Sequence, residues 1–190
     1  MAVDIFLITD PETDLERTAA LLKATLERVN AAAVLIAAGD ADDYAYVERA
    51  KALAPIAQAH DCAAILDGRP SLVKSARADG VHMSGGITAL REAIETLKPD
   101  YIVGTGDIGS RHEAMVRGEL DIDYLMFGDR DDPELDGREM ADWWAETFEV
   151  PSVYFAGQAD AGTLGERASE FVAFAQADWE NIEKLLGDGA

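Results

Sequence analysis

Eight short apolar runs, each fit for a buried strand, recur along this chain with helical patterns between most of them. They are Asp4–Thr9, Ala33–Ala37, Ala63–Leu66, Gly80–Met83, Tyr101–Gly104, Tyr124–Gly128, Ser152–Ala156 and Glu170–Phe174. Runs such as AVLIA do not alternate apolar with polar, which is the signature of strands covered on both faces in a parallel sheet. Eight strand–helix units are the arithmetic of a compact (β/α)8 TIM barrel, here a single domain over residues 1–190. Such barrels typically take about 250 residues, so short helices and loops must serve at 190 residues.

The segments between the runs carry helix signals. Thr13 and Glu16 form a T-x-x-E capping box, and Leu15, Leu22, Leu26 and Val29 then share one face. A second helix from Asp43 meets Pro55, which kinks or divides it before His60. Further helices are expected at Pro70–Arg77, Thr88–Leu97, Ser110–Arg117, Arg138–Phe148, Leu164–Ser169 and Asp178–Leu186. Trp143, Trp144 and Phe148 read as the anchor of a helix on its barrel or as a subunit interface in a homo-oligomer.

A barrel of this kind carries its chemistry in the loops after the carboxyl ends of the strands. Charge limits what those loops can meet. The formal net charge is −21, which excludes nucleic acid and an anionic membrane surface as natural partners. An acidic surface also keeps a protein dispersed. No apolar run approaches the length of a membrane helix, and Met1 leads into a strand with no leader-like segment. Cys62 is the one cysteine, placed beside a strand as a small core residue, and it suits a reducing cytoplasm.

Four segments carry a family likeness: FLITD (Phe6–Asp10), ARADGVHMSG (Ala76–Gly85), DYIVG (Asp100–Gly104) and DYLMFG (Asp123–Gly128). In order and spacing they resemble thiamine phosphate synthase and its relatives, the thiazole tautomerases (TenI-like proteins) of the same barrel superfamily. The resemblance implies a transferase of thiamine biosynthesis that joins a pyrimidine pyrophosphate to a thiazole phosphate. It also implies Mg²⁺, held by carboxylates, with Lys and Arg on the phosphates. A departing pyrophosphate accumulates negative charge, and cations must neutralise it.

This chain departs from the family where those groups belong. The second strand ends in Ile36–Asp40 with neither Arg nor Lys. Asp67-Gly68-Arg69 follows the third, Ser84-Gly85-Gly86-Ile87 the fourth, and Asp129-Arg130-Asp131-Asp132 the sixth. His112, in place of a tautomerase histidine, stands a few residues late and reads as a surface residue of the next helix. These losses argue against the synthase reaction itself.

The strand ends instead present Asp10, Asp40, Asp67, His82, Asp107 and Asp129, with Arg69, Arg130 and Arg111 nearby. The ligand-binding candidates are Asp67, Arg69, His82, Asp107, Asp129 and Arg130. Asp67 and Asp40 are the candidate metal ligands, since hard cations take oxygen donors. Gly157, Ala175 and Gln176 are candidates for the phosphate site such barrels build after their last two strands. A ring of like charges a few ångströms apart costs about 1 to 4 kcal/mol per pair at effective dielectrics of 80 to 20, so it would repel a bare diphosphate. Three functions remain open. One is a divergent synthase. Another is a binding or regulatory barrel for a thiamine-related or other cationic ligand. The third is a metal-dependent enzyme of different chemistry built on the acidic ring.

Overall fold

The computed structural model describes residues 4–128, 130, 137–157 and 168–186. Its strands are β1 (Asp4–Ile8), β2 (Ala31–Ile36), β3 (Ala63–Asp67), β4 (Gly80–Met83), β5 (Ile102–Thr105), β6 (Tyr124–Phe127), β7 (Ser152–Phe155) and β8 (Phe171–Ala175). Each pairs in parallel with its sequence neighbours, and β1 pairs with β8, so the sheet closes into an eight-stranded barrel. Around it lie α1 (Leu15–Leu26), α2 (Asp43–Gln58), α3 (Val73–Ala76), α4 (Ile87–Leu97), α5 (Arg111–Gly118), α6 (Arg138–Thr147) and α7 (Ile182–Leu186).

Strand parity sorts the side chains into two shells. Phe6, Ile8, Ala33, Leu35, Ile65, Tyr124, Met126, Val153, Phe155 and Ala173 pack together inside the barrel. Their alternates, including Leu7, Val34, Ile36, Leu66, Val81, Val103, Leu125 and Phe174, pack outward against the helices. The same parity carries Asp67 and His82, which face each other in register between β3 and β4, to the inner face. Inward positions at Gly80 and Gly104 lack side chains because there is no room. A Cβ at Gly104 would run into the ring of Tyr124, and one at Gly80 into the carbonyl of Ile102.

Three acidic residues staple the amino ends of the strands. Asp79 precedes β4 and accepts a hydrogen bond from the N–H of Ala64 in β3 at 2.8 Å. Asp123 precedes β6 and accepts from Val103 in β5 at 2.7 Å. Glu170 precedes β8 and accepts from both the N–H and the hydroxyl of Ser152 in β7, each at 2.9 Å. Each carboxylate satisfies a backbone donor near the start of the preceding strand, which would otherwise lack a partner in the sheet. Part of the negative charge of the chain therefore has a structural use.

The local expectations need several corrections. The capping box does not form. The carboxylate of Asp14 caps α1 by accepting from the N–H of Arg17 at 2.9 Å, while the Thr13 hydroxyl turns back to donate to Asp10 at 2.8 Å. Pro55 lies inside one continuous α2, because the buried Leu53, Ala54 and Ala57 hold both halves against the barrel. The third helix is a 3-10 turn (Pro70–Leu72) running into α3, and the last begins as a 3-10 stretch over Gln176–Asn181. The helix expected at Leu164–Ser169 falls mostly outside the described residues.

The aromatic cluster anchors α6. Trp144 is buried, stacks on Phe148 at 4.0 Å between ring centres, and donates its indole N–H to the carbonyl of Val150 at 2.7 Å. Cys62 is buried, and burial pushes its thiol up to about 12. No helix among the described residues is long and apolar enough to cross a membrane.

Candidate functional site

The carboxyl ends of the strands open into two adjoining hollows. The wider, of about 470 Å³, is walled by Ile8, Thr9, Ala37, Phe155, Ala175 and Gln176. The smaller, of about 120 Å³, is lined by His82, Ser84, Gly106, Asp107, Met126, Gly128 and Arg130. Arg130 borders both, and Asp67 borders the wider one.

Arg130 spans the mouth. One guanidinium nitrogen donates to Oδ2 of Asp67 at 3.0 Å, and the other donates to Oδ1 at 3.0 Å and to Oγ of Ser84 at 3.3 Å. This planar two-point pairing suits arginine and no other side chain. Both partners are largely covered, with side-chain exposures of 24% and 19%. The backbone N–H of Asp67 donates to the hydroxyl of Tyr46 at 2.7 Å, and that hydroxyl donates to the carbonyl of Ile36 at 2.6 Å. Asp67 is thus fixed from behind by α2 and from the front by Arg130.

His82 is buried beside them. Its Nδ1 lies 3.0 Å from the hydroxyl of Tyr124. Burial pushes the imidazole down to about 3, and the nearby charge of Arg130 acts in the same direction. His82 is therefore neutral at physiological pH. Behind the mouth, the buried Arg117 donates to the hydroxyl of Thr105 at 2.6 Å and to Glu113 at 2.6 Å. The Thr105 hydroxyl in turn donates to the carbonyl of Met83, tying α5 to the ends of β4 and β5.

The remaining described candidates divide: Asp10, Asp107, Ala175 and Gln176 border the two hollows, and Arg69 and Asp40 do not. Arg69 turns away toward α2, where it donates to Asp43 at 3.1 Å and to the carbonyl of Ala41 at 2.7 Å, with its guanidinium over the ring of Tyr46. Asp10 is exposed, and its carboxylate is engaged locally by the N–H of Glu12 and the hydroxyl of Thr13. Asp40 and Asp107 are exposed, and Asp129 lies outside the described residues. His112 is exposed in the first turn of α5. Ala175 and Gln176 line the wider hollow, and Gln176 accepts from the N–H of Asp10 at 2.9 Å. Gly157 closes the described part of the chain after β7.

Among the described residues, no group of three or more His, Cys, Asp or Glu side chains is placed to hold a metal ion. Of the two candidate metal ligands, Asp67 pairs with the Arg130 guanidinium and Asp40 is exposed. Ser84, Gly106 and Tyr124 were not singled out from the sequence as site residues. For Tyr124, the available signal was parity: an inward tyrosine beside an inward histidine, with Gly104 between them in register.

The model of the family described as thiamine monophosphate synthase matches residues 5–176. The chain belongs to that family. It is 35% identical over 185 residues to a thiamine-phosphate synthase of Rhodospirillum centenum, covering 93% of this chain and 89% of that protein. It is 32% identical over 153 residues to one of Erythrobacter litoralis, covering 75% of this chain and 72% of that protein. A thiamine phosphate pyrophosphorylase from Pyrococcus furiosus shares the fold, with a TM-score of 0.77 at 20% identity over 97% of this chain and 95% of the other. Family membership thus agrees with the likeness in FLITD, ADGVH and the paired DY segments. Within this thiamine monophosphate synthase family, Asp79 of the ADGVH segment is a strand staple and His82 is the residue that reaches the mouth.

Proposed function

We propose that this member of the thiamine phosphate synthase family binds a thiamine-related small molecule at its barrel mouth and is a poor catalyst of the synthase reaction. The observation that carries this reading is the Asp67–Arg130 pair. It joins the end of β3 to the loop after β6 and cancels the charge of both side chains. A departing diphosphate needs uncompensated cations or a metal at that place. Arg130 is balanced by Asp67, Arg69 is turned toward Asp43, and His82 is neutral. Among the described residues no cluster of three or more metal-ligating side chains is formed, and no step is routed through a metal ion.

What the mouth supplies is recognition. Its wider hollow has apolar walls for a flat heteroaromatic ring, with a few polar groups to orient it. Donors on such a ring meet Asp67 and Gln176, and acceptors meet Arg130, while Ser84 and His82 serve a group seated in the smaller hollow. The single buried thiol suits a reducing cytoplasm.

The test has two arms. The protein is titrated by calorimetry with thiamine, its phosphates and its pyrimidine and thiazole precursors. It is also incubated with the pyrimidine pyrophosphate, the thiazole phosphate and Mg²⁺, beside the Rhodospirillum centenum relative. Saturable binding of at least one compound is expected, with product formed about 100-fold or more slower than by the relative. Binding of none of them refutes the reading. Turnover equal to the relative's would establish the second reading, an authentic synthase, which the 35% identity to that protein favours.

A further inference from the structure

Three inward positions on β4, β5 and β6 build the surroundings of one imidazole. His82 is almost completely buried, and the ring of Tyr124 lies nearly parallel to it, 5.7 Å away at 16°. Gly104 makes room for that ring, since a Cβ there would collide with it. On the far side of the imidazole is Gly106, where a Cβ would stand only 2.7 Å from Nε2. Glycine at 106 therefore leaves Nε2 uncovered on the side of the smaller hollow, which both residues line.

The proton on the ring follows from counting donors. A neutral imidazole has one N–H and one bare nitrogen, and a phenol has one O–H. Burial pushes the Tyr124 hydroxyl well above its ordinary value, so it keeps its proton. Among the described residues its hydrogen-bond partner is Nδ1 of His82. If Nδ1 carried the imidazole proton, the phenol hydrogen would be left buried without an acceptor, at a cost of about 1 to 3 kcal/mol. If the phenol donates to Nδ1, the phenol hydrogen and Nδ1 satisfy each other, and the imidazole proton sits on Nε2.

We propose that Tyr124 and Gly106 are positioning residues that hold His82 as an uncharged Nε2–H donor at the smaller hollow, beside Ser84 and Arg130. The ligand group seated there is a hydrogen-bond acceptor, either a ring nitrogen or a phosphate oxygen. This deepens the reading of the mouth as a small-molecule site. It does not depend on which thiamine-related compound binds.

The experiment is ¹⁵N NMR of the imidazole nitrogens in the ligand-free, histidine-labelled protein, with His82 assigned by comparison with His82→Asn. The expected wild-type result is a protonated Nε2 and a bare Nδ1. In Tyr124→Phe the bare nitrogen loses its donor and the tautomer preference weakens. A protonated Nδ1 in the wild type overturns the proposal even if the variant does not fold. An unchanged preference in a folded Tyr124→Phe overturns the role of Tyr124. Titration with inorganic phosphate and, separately, with an unphosphorylated aminopyrimidine then reads the ligand side. A shift of Nε2 with one of them names the source of the acceptor, and a shift with neither removes the ligand contact. Because the tautomer is read without ligand, failure of the proposed function and failure of this proposal are distinguishable.

Discussion

Arg130 and Asp67 stand 63 positions apart and meet across the barrel mouth through two parallel hydrogen bonds of 3.0 Å each. The pair links the end of β3 to the loop after β6, and Arg130 borders both hollows. It is more covered than an ordinary surface ion pair, for which the net gain is close to zero, and it is braced by Ser84.

Breaking this pair from either side should cost more than breaking it from both. Arg130→Met and Asp67→Asn should each lose about 1 to 3 kcal/mol of stability, because each removes one charge of a largely covered ion pair. The double variant should lose clearly less than the sum, with a coupling of about 1 to 2 kcal/mol. Urea denaturation of the four proteins measures the cycle. Strict additivity would mean that the pair contributes nothing to folding.

The acidic staples should be worth a similar amount each. Asp79→Ala, Asp123→Ala and Glu170→Ala remove the acceptors for Ala64, Val103 and Ser152, respectively. Losses of about 1 to 3 kcal/mol are expected for each. Asp123→Ala should be the most severe of the three, because Lys98 also donates to both carboxylate oxygens at 2.7 Å and would lose its partner. Exposed acids without such bonds, such as Asp40, should change stability little when replaced by alanine. Denaturation midpoints would contradict the staple if the two classes behaved alike.

His82 should make the fold sensitive to mild acid. Its folded value, lowered to about 3, lies below the ordinary value of 6.5. Between those limits the unfolded chain binds the proton and the folded chain does not, so stability falls as pH falls. The loss begins near 6.5, proceeds at about 1.4 kcal/mol per pH unit, and ends near the folded value. Unfolding free energies of the wild type and His82→Gln, measured from pH 7 down to 4, should diverge with that extra slope in the wild type. Parallel curves would show that the imidazole is not held neutral.

Gly104→Ala should be far more disruptive than its size suggests. The added methyl meets the ring of Tyr124, which is wedged between β5 and the Phe6 ring 5.4 Å away. Overpacking of this kind typically costs about 1 to 3 kcal/mol. The variant should also displace Tyr124 from His82, which the imidazole ¹⁵N signals would report. A variant as stable as the wild type, with unchanged signals, would exclude the wedge.

The barrel was legible because strands covered on both faces write themselves as apolar runs, and eight such runs admit few arrangements. The described strand ends fall within one or two residues of those runs. Inward positions were legible too, since period-two parity carries Asp67 and His82 to the mouth whatever the loops do. Helix starts were less so. Thr13 and Asp14 are neighbours that can both cap, and the choice depends on where the chain leaves β1.

By itself, then, the sequence determined the scaffold, its closure and the family to which the mouth belongs. Only the tertiary structure decided what the charged side chains do. Asp10, Asp40 and Asp107 all follow strand ends, yet they remain exposed. Arg69 and Arg130 both follow strands, yet one turns out to Asp43 and the other turns in to Asp67. The physical reason is reach. A strand is confined by its ladder to two faces, so its pattern is local and readable. A long cationic side chain can address several acids from one backbone position. Which one it takes depends on burial and geometry that exist only once the eight strands have closed.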